Sequence, residues 1–160
     1  MIVVDANVIA YRVLANDRTT LALRLFDMDG EWISTSLWEY EFSNILAMPL
    51  RNEAWNVQQA VNALRDARKF LARVMEPSTE TVFEIVRRHK ITAYDAQYVA
   101  LAIELNVPLV TEDKELLKKF PGKAYSMETY WNAFGNRDLQ EPAGDYRVAS
   151  KARRVPRDKR

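Results

Sequence analysis

Residues 93–113 read AYDAQYVALAIELNVPLVTED, and this segment indicates what kind of sheet the chain builds. Thr92 suits a helix cap, the apolar spacing predicts a helix over 93–105, and Asn106 suits the C-terminal end of that helix. Pro108 then opens a short, continuously apolar strand over 108–111. A strand without polar alternation is buried on both faces, as in parallel sheets that have helices on either side. The segment therefore predicts a layered α/β protein.

The same alternation of helices and apolar strands extends along most of the chain. Further strands are predicted over 2–4, 31–35 and 124–125. Further helices are predicted over 7–15, 19–29, 36–48, 56–75, 81–89, 113–120 and 127–134. Because helices separate the strands, we expect a three-layer α/β/α sandwich with a short, mainly parallel sheet. The periodicity fades after Gly135, which predicts one domain over 1–134 and an extension over 135–160.

The composition excludes several kinds of reactive site. The 160 residues include no cysteine, one histidine and four glycines that lie far apart in the sequence. Disulfides, thiol nucleophiles and cysteine-ligated zinc are therefore excluded, and catalytic zinc is disfavoured. The scattered glycines form no phosphate-binding loop. Any chemistry would have to come from carboxylates acting with a hard metal ion.

Four carboxylates fall where the predicted strands end or where the next helices begin. Asp5 ends the first strand, Asp113 follows the 108–111 strand, and Glu41 and Asp95 lie in the first two turns of their helices. Ligands of parallel sheets bind beyond the carboxyl ends of the strands, so we expect these acids to share one edge. Neighbouring carboxylates repel one another unless a cation intervenes, and oxygen ligands suit Mg²⁺ (or Mn²⁺).

Each of these acids also has a purely structural interpretation. Asp5 would serve as a helix cap, Asp95 would complete a capping box with Thr92, and Asp113 would complement a helix dipole. Glu41 would be an ordinary solvated acid on a helix. The prediction of a site therefore depends on the four acids together. The neighbouring Glu39 is interpreted as a capping partner of the preceding serine.

Other conspicuous side chains are given structural roles. His89 is expected to complement the C-terminal dipole of its helix. Several large aromatic residues are interpreted as core or subunit interface rather than as platforms for nucleobases. These residues are Trp38, Trp55, Trp131 and Tyr98.

The charge distribution is uneven although the net charge is only +1. Residues 147–160 contain seven basic and one acidic side chain, whereas the rest of the chain has 16 basic and 21 acidic ones. A basic tail on an acidic body favours contact with a polyanion or self-association, and the alternative is a solvated terminus. The sequence has no signal peptide pattern and no apolar run long enough to span a bilayer, so we expect a cytoplasmic protein.

Four short motifs resemble, in the same order, those of the PIN-domain ribonucleases. These motifs are IVVDAN at 2–7, YEFSNIL at 40–46, AYDAQYVALA at 93–102 and LVTED at 109–113. The resemblance covers residues 1–134, and the chain is most similar in length to the small VapC-type toxins. It departs from them in the residues that follow 134.

The resemblance implies a metal-dependent endoribonuclease that leaves a 5′-phosphate and a 3′-hydroxyl. Asp5, Glu41, Asp95 and Asp113 would hold one or two Mg²⁺ or Mn²⁺ ions, which Asn7 and Thr111 would support by orienting the ligands. Toxins of this type usually form homodimers and are neutralised by a small antitoxin protein. Basic residues would then supply charge for the RNA substrate. The candidates are Arg12, Lys114, Arg153 and Arg154.

Three alternatives stay open at this point. The chain could be an RNA-processing PIN nuclease outside a toxin–antitoxin pair, or a non-catalytic module that binds RNA. It could also be a phosphohydrolase that uses Asp5 as a covalent nucleophile. Such enzymes usually need a second acid two residues later, where Asn7 cannot transfer a proton.

Overall fold

The computed structural model describes residues 1–135, which form five strands and eight helices. The extension predicted from the sequence, with Arg153 and Arg154, lies outside the described residues. The strands are β1 (Ile2–Val4), β2 (Trp32–Ser34), β3 (Leu71–Val74), β4 (Leu109–Val110) and β5 (Ala124–Tyr125). The helices are α1 (Ala6–Val13), α2 (Thr19–Met28), α3 (Leu37–Arg51), α4 (Val57–Arg68), α5 (Thr79–His89), α6 (Ala93–Glu104), α7 (Lys114–Lys119) and α8 (Met127–Phe134). Within this part of the chain no helix is long and apolar enough to cross a bilayer.

The five strands form one sheet in the order β3-β2-β1-β4-β5, and every pair is parallel. The first strand is therefore central, with β2 on one side and β4 on the other. All the strands point the same way, so their carboxyl ends share one edge. This arrangement confirms the predicted parallel α/β fold.

Alternate residues of the central strands face two separate cores. Val3 and Leu109 pack against α5, α6 and α7, whereas Val4, Trp32 and Val110 pack against the helices of the other layer. That other layer consists of α1, α2, α3, α4 and α8. Strands with two buried faces need continuous apolar sequence, which is why β1, β2 and β4 could be predicted from short apolar runs. The three layers of the sandwich are confirmed.

The prediction of one long helix over 56–75 is wrong. Helix α4 ends at Arg68, the backbone turns at Lys69 and Phe70, and Leu71–Val74 forms an edge strand parallel to β2. The apolar residues of β3 continue the helical spacing of α4, so periodicity alone could not separate them. The Phe70 ring packs edge-on against Phe26, with 5.6 Å between their centroids, and this contact lies at the turn.

Two predictions about α3 are also wrong. The helix does not end before Pro49 but continues to Arg51, so the proline lies in the last turn, where little helix follows the point at which it disturbs the backbone. The side chain of Ser36 forms no capping bond with the helix. Glu39 instead accepts hydrogen bonds from the guanidinium of Arg68 on α4.

Candidate metal-binding active site

A cavity of about 620 Å³ opens at the carboxyl edge of the sheet, and all four predicted acids line it. Asp5 follows β1, Asp113 lies just beyond β4, and Glu41 is in the second turn of α3. Asp95 enters from the first turn of α6, which lies on the opposite face of the sheet from α3. The structure therefore brings together carboxylates that are up to about a hundred residues apart in the sequence.

Asp5 is the most enclosed of these acids, with 8% of its surface exposed. Its Oδ2 accepts hydrogen bonds from Asn7 Nδ2 at 2.7 Å and from the Thr111 hydroxyl at 2.6 Å. Burial raises the pKa of Asp5, and the charge of Asp113 adds to this, whereas the hydrogen bonds act in the opposite direction. Asn7 and Thr111 therefore hold the carboxylate in one orientation.

Thr111 connects two of the acids. Its side chain is fully buried, and its Oγ1 also accepts a hydrogen bond from the Asp113 backbone N–H at 3.0 Å. Asp113 in turn caps α7, since its Oδ1 accepts from the backbone N–H groups of Glu115 and Leu116. These bonds use Oδ1, and no hydrogen bond or ion pair within residues 1–135 uses Oδ2 of Asp113.

Glu41 is paired with a tyrosine on the facing helix. The Tyr98 hydroxyl donates to Glu41 Oε2, although the Tyr98 ring belongs to the core. Burial raises the pKa of Glu41, the charges of Asp5 and Asp95 raise it further, and the bond from Tyr98 lowers it. Tyr98 was interpreted from the sequence as core or subunit interface, and its position three residues after Asp95 was the signal that could have placed it at the site.

Asp95 combines a capping role with its place in the cavity. Its backbone N–H donates to Thr92 Oγ1 at 3.1 Å, and the Thr92 hydroxyl donates to Asp95 Oδ2 at 2.7 Å. Asp5 likewise caps α1 through a bond from the Asn7 backbone. The positive ends of the α1 and α6 dipoles favour negative charge at these positions. The capping roles of Asp5 and Asp95 are therefore compatible with their place in the cavity.

Glu112 fixes the loop that holds Asp113, although the sequence analysis assigned it no role. Its backbone N–H donates to Asn7 Oδ1 at 3.3 Å, and its Oε1 accepts from the Met127 backbone N–H at 3.0 Å. Its Oε2 forms an ion pair with Arg18. The loop is thereby tied to α1, to α8 and to the turn that opens α2.

The remaining predicted residues lie in different surroundings. The Arg12 guanidinium lies over the Phe70 ring at 4.2 Å and does not line the cavity. Lys114 is exposed and directly follows Asp113 at the start of α7. Asn44, three residues after Glu41 on α3, also lines the cavity, although it was not predicted as a site residue.

The donor set of the cavity suits a hard divalent cation. Within residues 1–135 no three acidic, histidine or cysteine groups lie close enough together to form a complete metal site. Mg²⁺, however, usually keeps several waters and is bound through one or two carboxylates. The acids offer only oxygen donors, and the raised pKa values of Asp5 and Glu41 show that each is destabilised as an anion when no cation is near. The residues therefore fit such an ion.

Comparison with known proteins identifies the family to which this chain belongs. A sequence model of the PIN domain matches residues 2–123. The chain belongs to the PIN-domain family. Among curated relatives of this PIN-domain protein, Ribonuclease VapC3 from Pyrobaculum aerophilum is 32% identical over 124 residues, which are 75% of this chain and 95% of the relative. Ribonuclease VapC1 from Mycobacterium tuberculosis is 31% identical over 116 residues, which are 71% of this chain and 86% of the relative.

A solved structure supports the same fold. The crystal structure of PAE2754 from Pyrobaculum aerophilum superposes on this PIN-domain protein with a TM-score of 0.66. The match covers 85% of this chain and 96% of the other, at 22% sequence identity. The resemblance stated from the four motifs is therefore confirmed at the level of family and fold.

Proposed function

We propose that this PIN-domain protein is an endoribonuclease that depends on Mg²⁺ or Mn²⁺. The observation that carries the proposal is the cavity lined by Asp5, Glu41, Asp95 and Asp113. These residues would hold the metal, which when bound supplies a Lewis acid for the phosphodiester and favours attack by water. The VapC relatives, which are named ribonucleases, support the choice of RNA as substrate.

The residues around the acids have defined tasks in this reaction. Asn7 and Thr111 hold Asp5 Oδ2, and Thr111 also fixes the backbone of Asp113. Tyr98 donates to one oxygen of Glu41, which lines the cavity, and the other oxygen would be available to the metal. Such supporting hydrogen bonds are the usual means of orienting carboxylates toward a metal.

The biological setting of the proposal follows the relatives. The chain would be the toxin of a toxin–antitoxin pair, act in the cytoplasm as a homodimer, and be inhibited by a small antitoxin protein. Lys114, Arg153 and Arg154 would supply positive charge for RNA. A covalent phosphohydrolase is not favoured, because Asn7 donates to Asp5 at the position where such an enzyme needs a second acid.

The test is a cleavage assay with the purified full chain. RNA should be cut only when Mg²⁺ or Mn²⁺ is supplied, EDTA should stop the reaction, and the products should carry 5′-phosphates. Asp5→Asn and Asp95→Asn should each lower the rate by about a hundredfold or more, since each removes a charged ligand. Asp66→Asn, which changes an exposed acid on α4, is the matched control and should leave the rate unchanged.

Two outcomes would contradict the proposal. Full activity of Asp95→Asn would show that cleavage does not depend on the acids of the cavity as proposed. A wild-type chain that binds RNA but cuts none with either metal would be a binding module instead.

A further inference from the structure

The cavity that holds the acids offers little attraction to an RNA backbone. Its described lining contains four acidic side chains and no lysine or arginine. A phosphodiester carries negative charge, so the lining itself repels it until a cation is bound. Contacts that do not depend on charge would therefore add affinity for RNA at this place without adding to the repulsion.

The uncharged part of the lining provides such contacts. Tyr40 is 75% exposed and Tyr94 is 66% exposed, and both line the same cavity as the acids. Tyr40 lies on α3 and Tyr94 on α6, so the two rings approach from opposite layers of the sandwich. Within residues 1–135 neither ring packs in an aromatic pair. Large aromatic surface exposed beside a polar cavity is typical of a binding surface.

Each exposed tyrosine directly precedes one of the acids in the sequence. Tyr40 precedes Glu41, and Tyr94 precedes Asp95. This places both rings one residue from the acids proposed to bind metal, at the rim of their cavity. Tyr40 also lines a neighbouring cavity of about 530 Å³, in which Arg68 and Arg73 form ion pairs with Glu39 and Glu31.

We propose that Tyr40 and Tyr94 form a base-stacking subsite that receives the nucleobases on either side of the phosphate held at the acids. This inference rests on the proposed ribonuclease function. Nucleobases stack on aromatic side chains whatever their identity, so the subsite binds unpaired nucleotides without reading their sequence. It supplies the affinity that the acidic lining cannot.

A binding measurement tests the subsite apart from cleavage. The full chain with Asp95→Asn is titrated into a fluorescein-labelled oligouridylate in the presence of Mg²⁺. Adding Tyr40→Ala or Tyr94→Ala should weaken binding by about tenfold each, which lies within the usual range for the loss of base stacking on one aromatic side chain. Tyr40→Phe and Tyr94→Phe should bind like the parent protein, since the ring is kept.

Two controls separate stacking from a general loss of binding. Phe83→Ala removes an aromatic ring of similar exposure, 62%, on α5 away from the cavity, and should change nothing. An oligomer of the same length with abasic sugars in place of uridines should bind the alanine variants and the parent equally. If the alanine variants bind oligouridylate as tightly as the parent, the subsite is wrong.

Other outcomes are equally decisive. Equal losses on the abasic and the uridine probes would also overturn the proposal, because the tyrosines would then act without the bases. If RNA binding is unchanged while sedimentation shows altered self-association, the two rings belong to a protein interface instead. If the wild-type chain cuts RNA and both alanine variants cut it with the same KM, the subsite alone is contradicted. If the wild-type chain never cuts RNA, the proposed function is contradicted.

Discussion

The Thr111 hydroxyl connects Asp5 to the backbone of Asp113, at distances of 2.6 and 3.0 Å. Removing it would leave the Asp5 carboxylate with the bonds from Asn7 alone and leave a backbone N–H without its partner. Thr111→Val should therefore lower RNA cleavage and Mg²⁺ affinity by about 10- to 100-fold, the usual cost of losing a support for a metal ligand. Thr111→Ser keeps the hydroxyl and should retain most of the activity. Wild-type cleavage by the valine variant would show that the bond has no role in the site.

The stability of the protein should depend on pH through the buried acid Glu41. Burial raises the pKa of Glu41 in the folded protein. Folding therefore becomes less favourable as the pH rises from the ordinary pKa of the carboxyl group through the raised pKa. Glu41→Gln removes this cost and keeps an acceptor for Tyr98. The metal-free variant should therefore melt at a higher temperature than wild type at neutral pH, and the difference should vanish in acid.

The adjacent Glu39 is the control for that measurement. Hydrogen bonds from Arg68 hold the pKa of Glu39 below its usual range, so its contribution to stability is present above its ordinary pKa and is lost in acid. Glu39→Gln should therefore give no gain at neutral pH in thermal melts with EDTA. A lower melting temperature for Glu41→Gln than for wild type at neutral pH would refute the account of the buried acid.

Single residues differ in how well the sequence predicts them. The place of Asp5 at the edge of the sheet could be predicted because it ends a short apolar strand, whereas Asn7 and Thr111 were assigned only from the motifs that resemble the PIN-domain family. The bond from Tyr98 to Glu41 and the packing of Arg12 could not, because each depends on a contact between residues far apart in the chain.

Among the elements, the loop between β4 and α7 is held chiefly by Glu112. Its side chain accepts from Met127 at the start of α8 and pairs with Arg18. Glu112→Ala should loosen the loop, speed amide exchange over 112–118, and lower cleavage. Glu112→Gln keeps the bond from Met127 and should have a smaller effect. Amide exchange followed by mass spectrometry checks this, with α5 as an internal reference that should not change; unchanged exchange at 112–118 would contradict it.

Element boundaries show where local patterns are insufficient. The apolar residues of α4 and β3 follow one continuous helical spacing, yet the pairing of Leu71–Val74 with β2 ends the helix at Arg68. Pro49 is tolerated because it lies in the last turn of α3. Both errors arise because tertiary pairing and position within a helix override intrinsic preference.

On the scale of the whole molecule, charge is divided between an acidic body and a basic tail. If Arg153 and Arg154 contact RNA phosphates, replacing both with alanine should weaken RNA binding and reduce the slope of log affinity against log salt by about one per arginine. The matched pair Arg87→Ala and Arg88→Ala, at the end of α5, should leave the slope unchanged. An unchanged slope in the tail variant would identify those arginines as ordinary solvated residues.

The central claim is that the carboxylates at the end of the parallel sheet converge on a divalent metal ion. Crystals of the full chain grown with Mn²⁺ test it directly through anomalous diffraction. We expect a strong peak inside the cavity, within coordination distance of oxygens from more than one of Asp5, Glu41, Asp95 and Asp113. A cavity without a peak at saturating Mn²⁺, or a peak bound only elsewhere on the surface, would contradict it.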